Sequence, residues 1–287
     1  MFAGAHIVET QTPSLHDNMT NDEIELRDFE QYFPHAPTAL CIKECARLSA
    51  LRQFDCQGPI LDVGCGDGLF ARIAFEGREI WGIDIDAYES RWAQASRAYS
   101  QIILGDITRA KLPEQFFETC IANCSLEHVP NIDGALATIH HSLKPGGRAY
   151  LFVPQRDWAE NMWVLQALRK VGASGLSRTL QERLDHLFHH SHLYDEAGWR
   201  EVMNRTPFEI ERFDPVLSSA TTIAFEMFLL PSTLGWANKR MTTRWTNFPG
   251  LRRRSAKAAF KWTQLALTLA GDTKKTAEFL IVLRRKS

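Results

Sequence analysis

Residues 60–71, ILDVGCGDGLFA, constrain this chain more than any other stretch. Ile60, Leu61 and Val63 form a short apolar run of the kind that makes a buried strand in a parallel sheet. Gly64, Gly66 and Gly68 then alternate with Cys65 and Asp67, and a helical apolar pattern begins at Leu69. Glycine at every second position lets the backbone turn sharply at the strand's carboxyl end and lets a ligand approach without meeting a Cβ. The helix that follows directs unpaired N–H groups and its positive dipole end at this loop, which therefore suits a phosphate or a carboxylate.

Spacing chooses between the two. A dinucleotide fingerprint, G-x-G-x-x-G, would need its third glycine at position 69, which is Leu69. The pattern is G-x-G-x-G preceded by Asp62, and the chain contains no G-x-x-x-x-G-K-[ST], which excludes a P-loop. A second apolar strand, Ile80 to Ile85, then delivers Asp84 about one βα unit later, where an acid suits a bidentate grip on ribose hydroxyls. A small-carboxylate loop combined with a ribose acid describes a nucleoside carrying an amino-acid tail. S-adenosyl-L-methionine answers that description.

The pieces Leu61–Gly68, Gly82–Asp86, Gly105–Asp106, Leu112–Pro113, Leu126–Val129 and Leu143–Gly147 occur in one order at βα spacings over roughly residues 55–155. In this the chain resembles the class I S-adenosylmethionine-dependent methyltransferases of the small-molecule group. The resemblance implies an α/β fold: a doubly wound, Rossmann-like seven-stranded sheet with an antiparallel edge strand and helical insertions. It also implies cofactor contacts from Asp62, Gly64, Cys65, Gly66, Gly68, Asp84, Ile85, Asp106, Ile107, Asn123 and Cys124. Asp106 would accept from the adenine amino group, Ile107 would meet the ring, and Asn123 and Cys124 would lie beside the methionine portion. Relatives usually carry Asp where this chain has Glu118, at the start of the fourth strand and away from the site, so that change reads as structural. They carry the pair matching Glu127 and His128 whatever their substrate, which favours a helix-capping or cofactor-shell role for His128 over that of a base specific to one acceptor.

The formal net charge is −1, so nothing overall argues for nucleic acid. The six cysteines form no C-x-x-C pair and read as free thiols in a reducing cytoplasm. The amino terminus lacks a basic region followed by a long apolar one, which argues against a signal peptide, and no uncharged apolar stretch reaches about eighteen residues, so no membrane span is expected. Residues 1–20 read as a mobile tail. From Asn21 to Leu51 the apolar spacing predicts two helices broken at Pro34 and Pro37. By resemblance such helices close over the cofactor pocket, making Tyr32, Phe33 and His35 candidate lining; packing on the sheet is the alternative.

The methyltransferase domain is expected over 21–218 and 276–287. Within it, residues 155–194 form an insertion at a strand's carboxyl end, where it would serve as lid and substrate wall. Trp158, Met162, Trp163, Leu165 and Leu168 recur there at helical spacing, as core packing or as ligand wall. The cluster His186, His189, His190 and His192 admits three readings: a metal site, a general base, or exposed loop polarity. No H-E-x-x-H or nearby cysteine supports a metal, so none is expected. One of His189, His190 or His192 stands as the candidate catalytic base.

Residues 219–275 form a helical insertion between the last two strands, longer than the connection usual in relatives. Its segment LRRRSAKAAFKWTQLALTLAG carries Arg252, Arg253, Arg254, Lys257 and Lys261 with Phe260, Trp262, Leu265 and Leu267. This fits a peripheral membrane helix or an ordinary packed helix with a solvated basic end. The expected function is methyl transfer to a small-molecule or lipid-like acceptor. The alternative is a non-catalytic protein that binds S-adenosylmethionine or keeps only its fold. The location is expected to be cytoplasmic or membrane-peripheral, and the insertion offers surface for an oligomer.

Overall fold

The computed structural model describes residues 24–187, 191–242, 244–271 and 275–286. Two helices lead, α1 (Leu26–Tyr32) and α2 (Thr38–Leu51), parted at Pro34 and Pro37. Alternating units follow: β1 (Ile60–Val63), α3 (Leu69–Ala74), β2 (Ile80–Asp84), α4 (Ala87–Ser96), β3 (Gln101–Leu104), β4 (Phe117–Asn123), α5 (Ile132–Ser142) and β5 (Leu143–Pro154). After β5 come α6 (Trp163–Lys170), α7 (Ser174–Leu187), α8 (Glu196–Asn204) and β6 (Phe208–Ser218). Three further helices, α9 (Ser219–Met227), α10 (Leu229–Thr242) and α11 (Pro249–Ala270), precede β7 (Thr276–Arg285).

The seven strands form one sheet in the order β3-β2-β1-β4-β5-β7-β6. β7 runs antiparallel between β5 and the outer strand β6, so the antiparallel pairing is confined to that edge. Alternate residues feed two cores. Ile60, Ile80, Ile121, Phe152 and Leu280 face one side of the sheet, and Leu61, Ile83, Ala122, Leu151 and Ile281 the other. Both faces are covered by helices, which explains the nearly continuous apolar strands. Val63 is level with both Ile83 and Ala122, so β1, β2 and β4 release their loops at one height around a common crevice.

Tyr99 supports the glycine loop from below. A Cβ placed on Gly68 would come within 2.6 Å of its ring, and one on Gly82 within 2.9 Å. Its hydroxyl donates to Asp62 Oδ2 at 2.7 Å. Burial pushes the Asp62 carboxyl up to about 7, with Tyr99 pulling it back and Asp84 adding repulsion. Glu118, read as structural, accepts from Lys144 Nζ at 2.8 Å at the opposite end of β4 from the crevice.

Because the folded-state value of Asp62 lies above its ordinary one, the stability linked to it is complete below the usual carboxylate range. That stability is lost as pH rises through about 7. Tyr99→Phe leaves the buried carboxylate without its donor and is expected to cost about 1–3 kcal/mol at roughly pH 8. The loss should be smaller near pH 5, where Asp62 is protonated in both proteins; urea titrations at the two pH values check this.

Candidate active site

The glycine loop owes its shape to three glycines with positive φ: Gly64 at 73°, Gly66 at 53° and Gly68 at 76°. Two are also constrained by space. A Cβ on Gly64 would lie 2.3 Å from Ser125 Cβ, and Gly68 is closed by Tyr99. Ser125 Oγ donates to Val63 O at 2.6 Å, tying the end of β4 to the end of β1. Asp84 then sets the loop's height, accepting from Gly66 N and from Asp86 N, each at 2.8 Å.

Six of the expected cofactor residues line one cleft of about 330 Å³: Gly64, Asp84, Ile85, Asp106, Ile107 and Cys124. Ser125, His128, Val129 and Pro130 complete its far wall. Ile85 is 76% exposed at its rim, whereas Ile107 is buried. The backbone N–H and hydroxyl of Thr108 hold the Asp106 carboxyl below the usual carboxylate range. The other expected residues build the cleft from behind. Asp62 and Cys65 are buried under the loop, while Gly66 and Gly68 shape it. Asn123 turns away instead, donating through Nδ2 to Glu44 Oε2 at 2.8 Å.

A second cavity of about 200 Å³ adjoins the first, sharing Cys124 and His128 with it. Lys43, Arg47, Glu127, Pro154, Trp158 and Glu278 form the rest of its wall. Arg47 donates from Nε and Nη2 to the two oxygens of Glu278 at 2.8 and 2.7 Å, and from Nη1 to Glu44 at 2.7 Å. Lys43 Nζ also reaches Glu278, at 2.9 Å. Burial opposes ionisation of Glu278, but Arg47 and Lys43 outweigh it and bring the carboxyl down to about 2. Two cations therefore balance two carboxylates in this buried network.

Glu127 is the acid left over. It is 1% exposed, and its Oε2 has no hydrogen-bond partner among the described residues. Burial pushes its carboxyl up to about 8, with Glu278 adding to the rise and the backbone, Arg47 and Lys43 opposing it. Its Oε1 lies 3.7 Å from His128 Nε2. Cys124, between the two cavities, holds a left-handed φ of 49°, and burial pushes its thiol up.

The network eluded sequence reading because α2, β4 and β7 meet only in the folded chain. The available signals were Glu278 in the otherwise apolar AEFLIVL and the charges Lys43, Glu44 and Arg47 within a buried helix. Tyr32 and Phe33 pack into the core and line neither cavity. His35 faces a different cleft, against Asp67, Leu69 and Arg72. Of the insertion's aromatic stripe, Trp158 lines the second cavity, Met162 and Leu165 are buried, and Trp163 is 64% exposed.

His189 and His190 lie outside the described residues, as does the side chain of His186. His192 has both ring nitrogens engaged, Nδ1 with Tyr194 Oη at 3.0 Å and Nε2 with Val129 O at 3.0 Å. It lines neither cavity. The backbone amides of Ser191 and His192 donate to Glu127 O, so this segment braces the turn that carries Glu127.

Comparison with known proteins agrees with this architecture. Residues 32–212 of the chain match the family described as a methyltransferase domain. An uncharacterised methyltransferase of Mycobacterium tuberculosis is 38% identical over 91 residues, which are 31% of this chain and 46% of that protein. A ubiquinone biosynthesis O-methyltransferase of Pseudomonas syringae pv. tomato is 34% identical over 107 residues, covering 34% of this chain and 45% of the relative. The chain thus spans about half the length of the curated relatives it matches. Among solved structures, the [4+2]-cyclase SpnF shares the fold at a TM-score of 0.53 and 16% identity, over 85% of this chain and 82% of its own. With the family match running over residues 32–212, the chain belongs to the methyltransferase domain family.

Proposed function

We propose that this protein transfers a methyl group from S-adenosylmethionine to a small-molecule nucleophile. The observation that carries the reading is the junction of the two cavities at Cys124 and His128. The first has the residues to hold the donor: Gly64 at the start of the glycine loop, Asp84 for a ribose, and Ile85 and Ile107 as apolar contacts for a flat base. Its volume of about 330 Å³ falls within the range usual for ligand pockets. The second cavity would hold the acceptor. Fold likeness alone does not assign methyl transfer, since a neighbour on this fold is a cyclase.

When bound, S-adenosylmethionine supplies an electrophilic methyl carbon on a sulfonium centre. The chain's part is positioning and water exclusion, which can be worth roughly 7–11 kcal/mol in well-aligned cases. Pro154 and Trp158 furnish the apolar wall that keeps water from the acceptor. Glu127 is the group placed to take a proton from an acceptor hydroxyl or amine. In its neutral form it leaves the cavity charge-balanced, and as a carboxylate it adds one uncompensated negative charge. This disfavours carboxylate or phosphate at the reacting end.

Calorimetric titration with S-adenosylmethionine tests the donor site. Asp84→Asn removes the charge from hydrogen bonds each worth about 1.5–3 kcal/mol and is expected to weaken binding roughly 10–100-fold. Undiminished affinity would place the nucleoside elsewhere. The proton-accepting role makes a separate prediction. Glu127 must ionise to act, so turnover should rise with pH through about 8. Glu127→Gln should lower kcat by roughly 10²–10⁴ and flatten that rise, as read from pH–rate profiles, while donor affinity is unchanged.

A further inference from the structure

The helix α11 has one buried side and one bare side. Ala256, Thr263 and Ala266 are buried, and Phe260 meets Phe29 edge-on with ring centroids 5.5 Å apart. Arg252 belongs to this inner side. Its Nε donates to Phe33 O at 2.8 Å and its Nη2 to Ala36 O at 2.7 Å, with the guanidinium 3.8 Å above the Phe33 ring centroid. Leu267 also packs inward. Of the basic and apolar residues that sequence reading grouped together, Arg252, Phe260 and Leu267 are therefore committed to the fold.

The outer side carries Leu251, Ala258, Trp262, Leu265 and Leu269, all exposed, with Leu251, Trp262 and Leu269 at 67%, 66% and 71%. At 3.6 residues per turn these five fall within an arc of about 60° and run about 27 Å along the helix. Phe248, 72% exposed, extends the stripe at its amino-terminal end. Isolated exposed apolar residues are ordinary, but a continuous stripe of leucine and tryptophan marks an interaction surface. Arg254, Lys257 and Lys261 border one flank, all exposed, and α11 contains no acidic residue.

We propose that α11 docks this protein on an anionic lipid surface, with the Leu251–Leu269 stripe entering the headgroup boundary and Arg254, Lys257 and Lys261 pairing with lipid phosphates. The charge pattern selects this partner. Two copies of the chain meeting through the same face would each bring the cationic border, with no carboxylate on α11 to neutralise it. An anionic bilayer offers apolar depth and negative charge together, as an interfacial helix requires. No described helix is long and apolar enough to cross a membrane, so contact would be lateral. The proposal is independent of the chemistry at the strand ends.

Co-sedimentation of the full chain with vesicles tests it, comparing pure phosphatidylcholine with a phosphatidylglycerol–phosphatidylcholine mixture. Binding to the mixed vesicles, little to the neutral ones, and release by added salt are expected. The combined change Arg254→Gln, Lys257→Gln, Lys261→Gln should weaken binding on the order of a hundredfold. Trp262→Ser with Leu269→Ser should abolish it, and both variants should keep the parent's thermal transition because the altered side chains are exposed. Failure to pellet with anionic vesicles at low salt, or binding indifferent to both variants, would overturn the proposal. So would sedimentation velocity showing a dimer that the Trp262→Ser, Leu269→Ser variant dissolves.

Discussion

The loop between β1 and α3 depends on a carboxylate it does not itself contain. Asp84, on the neighbouring strand, accepts the Gly66 amide, while Tyr99 fills the space under Gly68 and donates to buried Asp62. Unpaired backbone amides and an unpartnered buried acid would each cost energy, so the three groups hold one another in place. The crevice at the strand ends inherits its floor from this arrangement. Asp84 therefore orders the loop, and under the function proposed above the same two oxygens would also face a nucleoside.

A second constraint closes the molecule from the other side. Arg47 on α2 grips Glu278 on β7 through a two-pronged pair, linking an early helix to the last strand across 231 residues of sequence. Taking such a pair out of water is costly, and it holds because Lys43, Glu44 and Asn123 satisfy the remaining sites. The same network commits both cations to Glu44 and Glu278 and leaves Glu127 Oε2 without a hydrogen-bond partner among the described residues. Structural closure and the electrostatics of the proposed acceptor cavity thus come from one set of residues. The helices between β6 and β7 reinforce the closure: Arg252 on α11 donates to the carbonyls of Phe33 and Ala36 after α1, and Glu226 on α9 accepts from the backbone amides that open α6.

Much of the sheet was legible in advance because its signals are local. Short apolar runs and glycines at fixed offsets depend on neighbours within a few residues, and they lead to the observed strands β1 to β5. The cleft residues Gly64, Asp84, Ile85, Asp106, Ile107 and Cys124 were legible for the same reason, since each ends a strand or begins the loop after it. Asn123 was legible as a strand end but not as a partner of Glu44, because side-chain direction follows from what packs beside it. The histidine loop drew attention through composition, yet His192 is spent on Tyr194 and Val129.

By itself the sequence determined the order of strands and helices, the glycine loop and the acids at the strand ends. Those features arise from backbone preferences and from apolar periodicity, both readable along the chain. Tertiary structure alone decided which charges became buried partners, which acid was buried beside Cys124 with its Oε2 lacking a hydrogen bond among the described residues, and which side of α11 faces outward. Burial and pairing are properties of positions brought together from distant segments. A lysine or glutamate has the same letter in the sequence whether water or an opposing charge surrounds it.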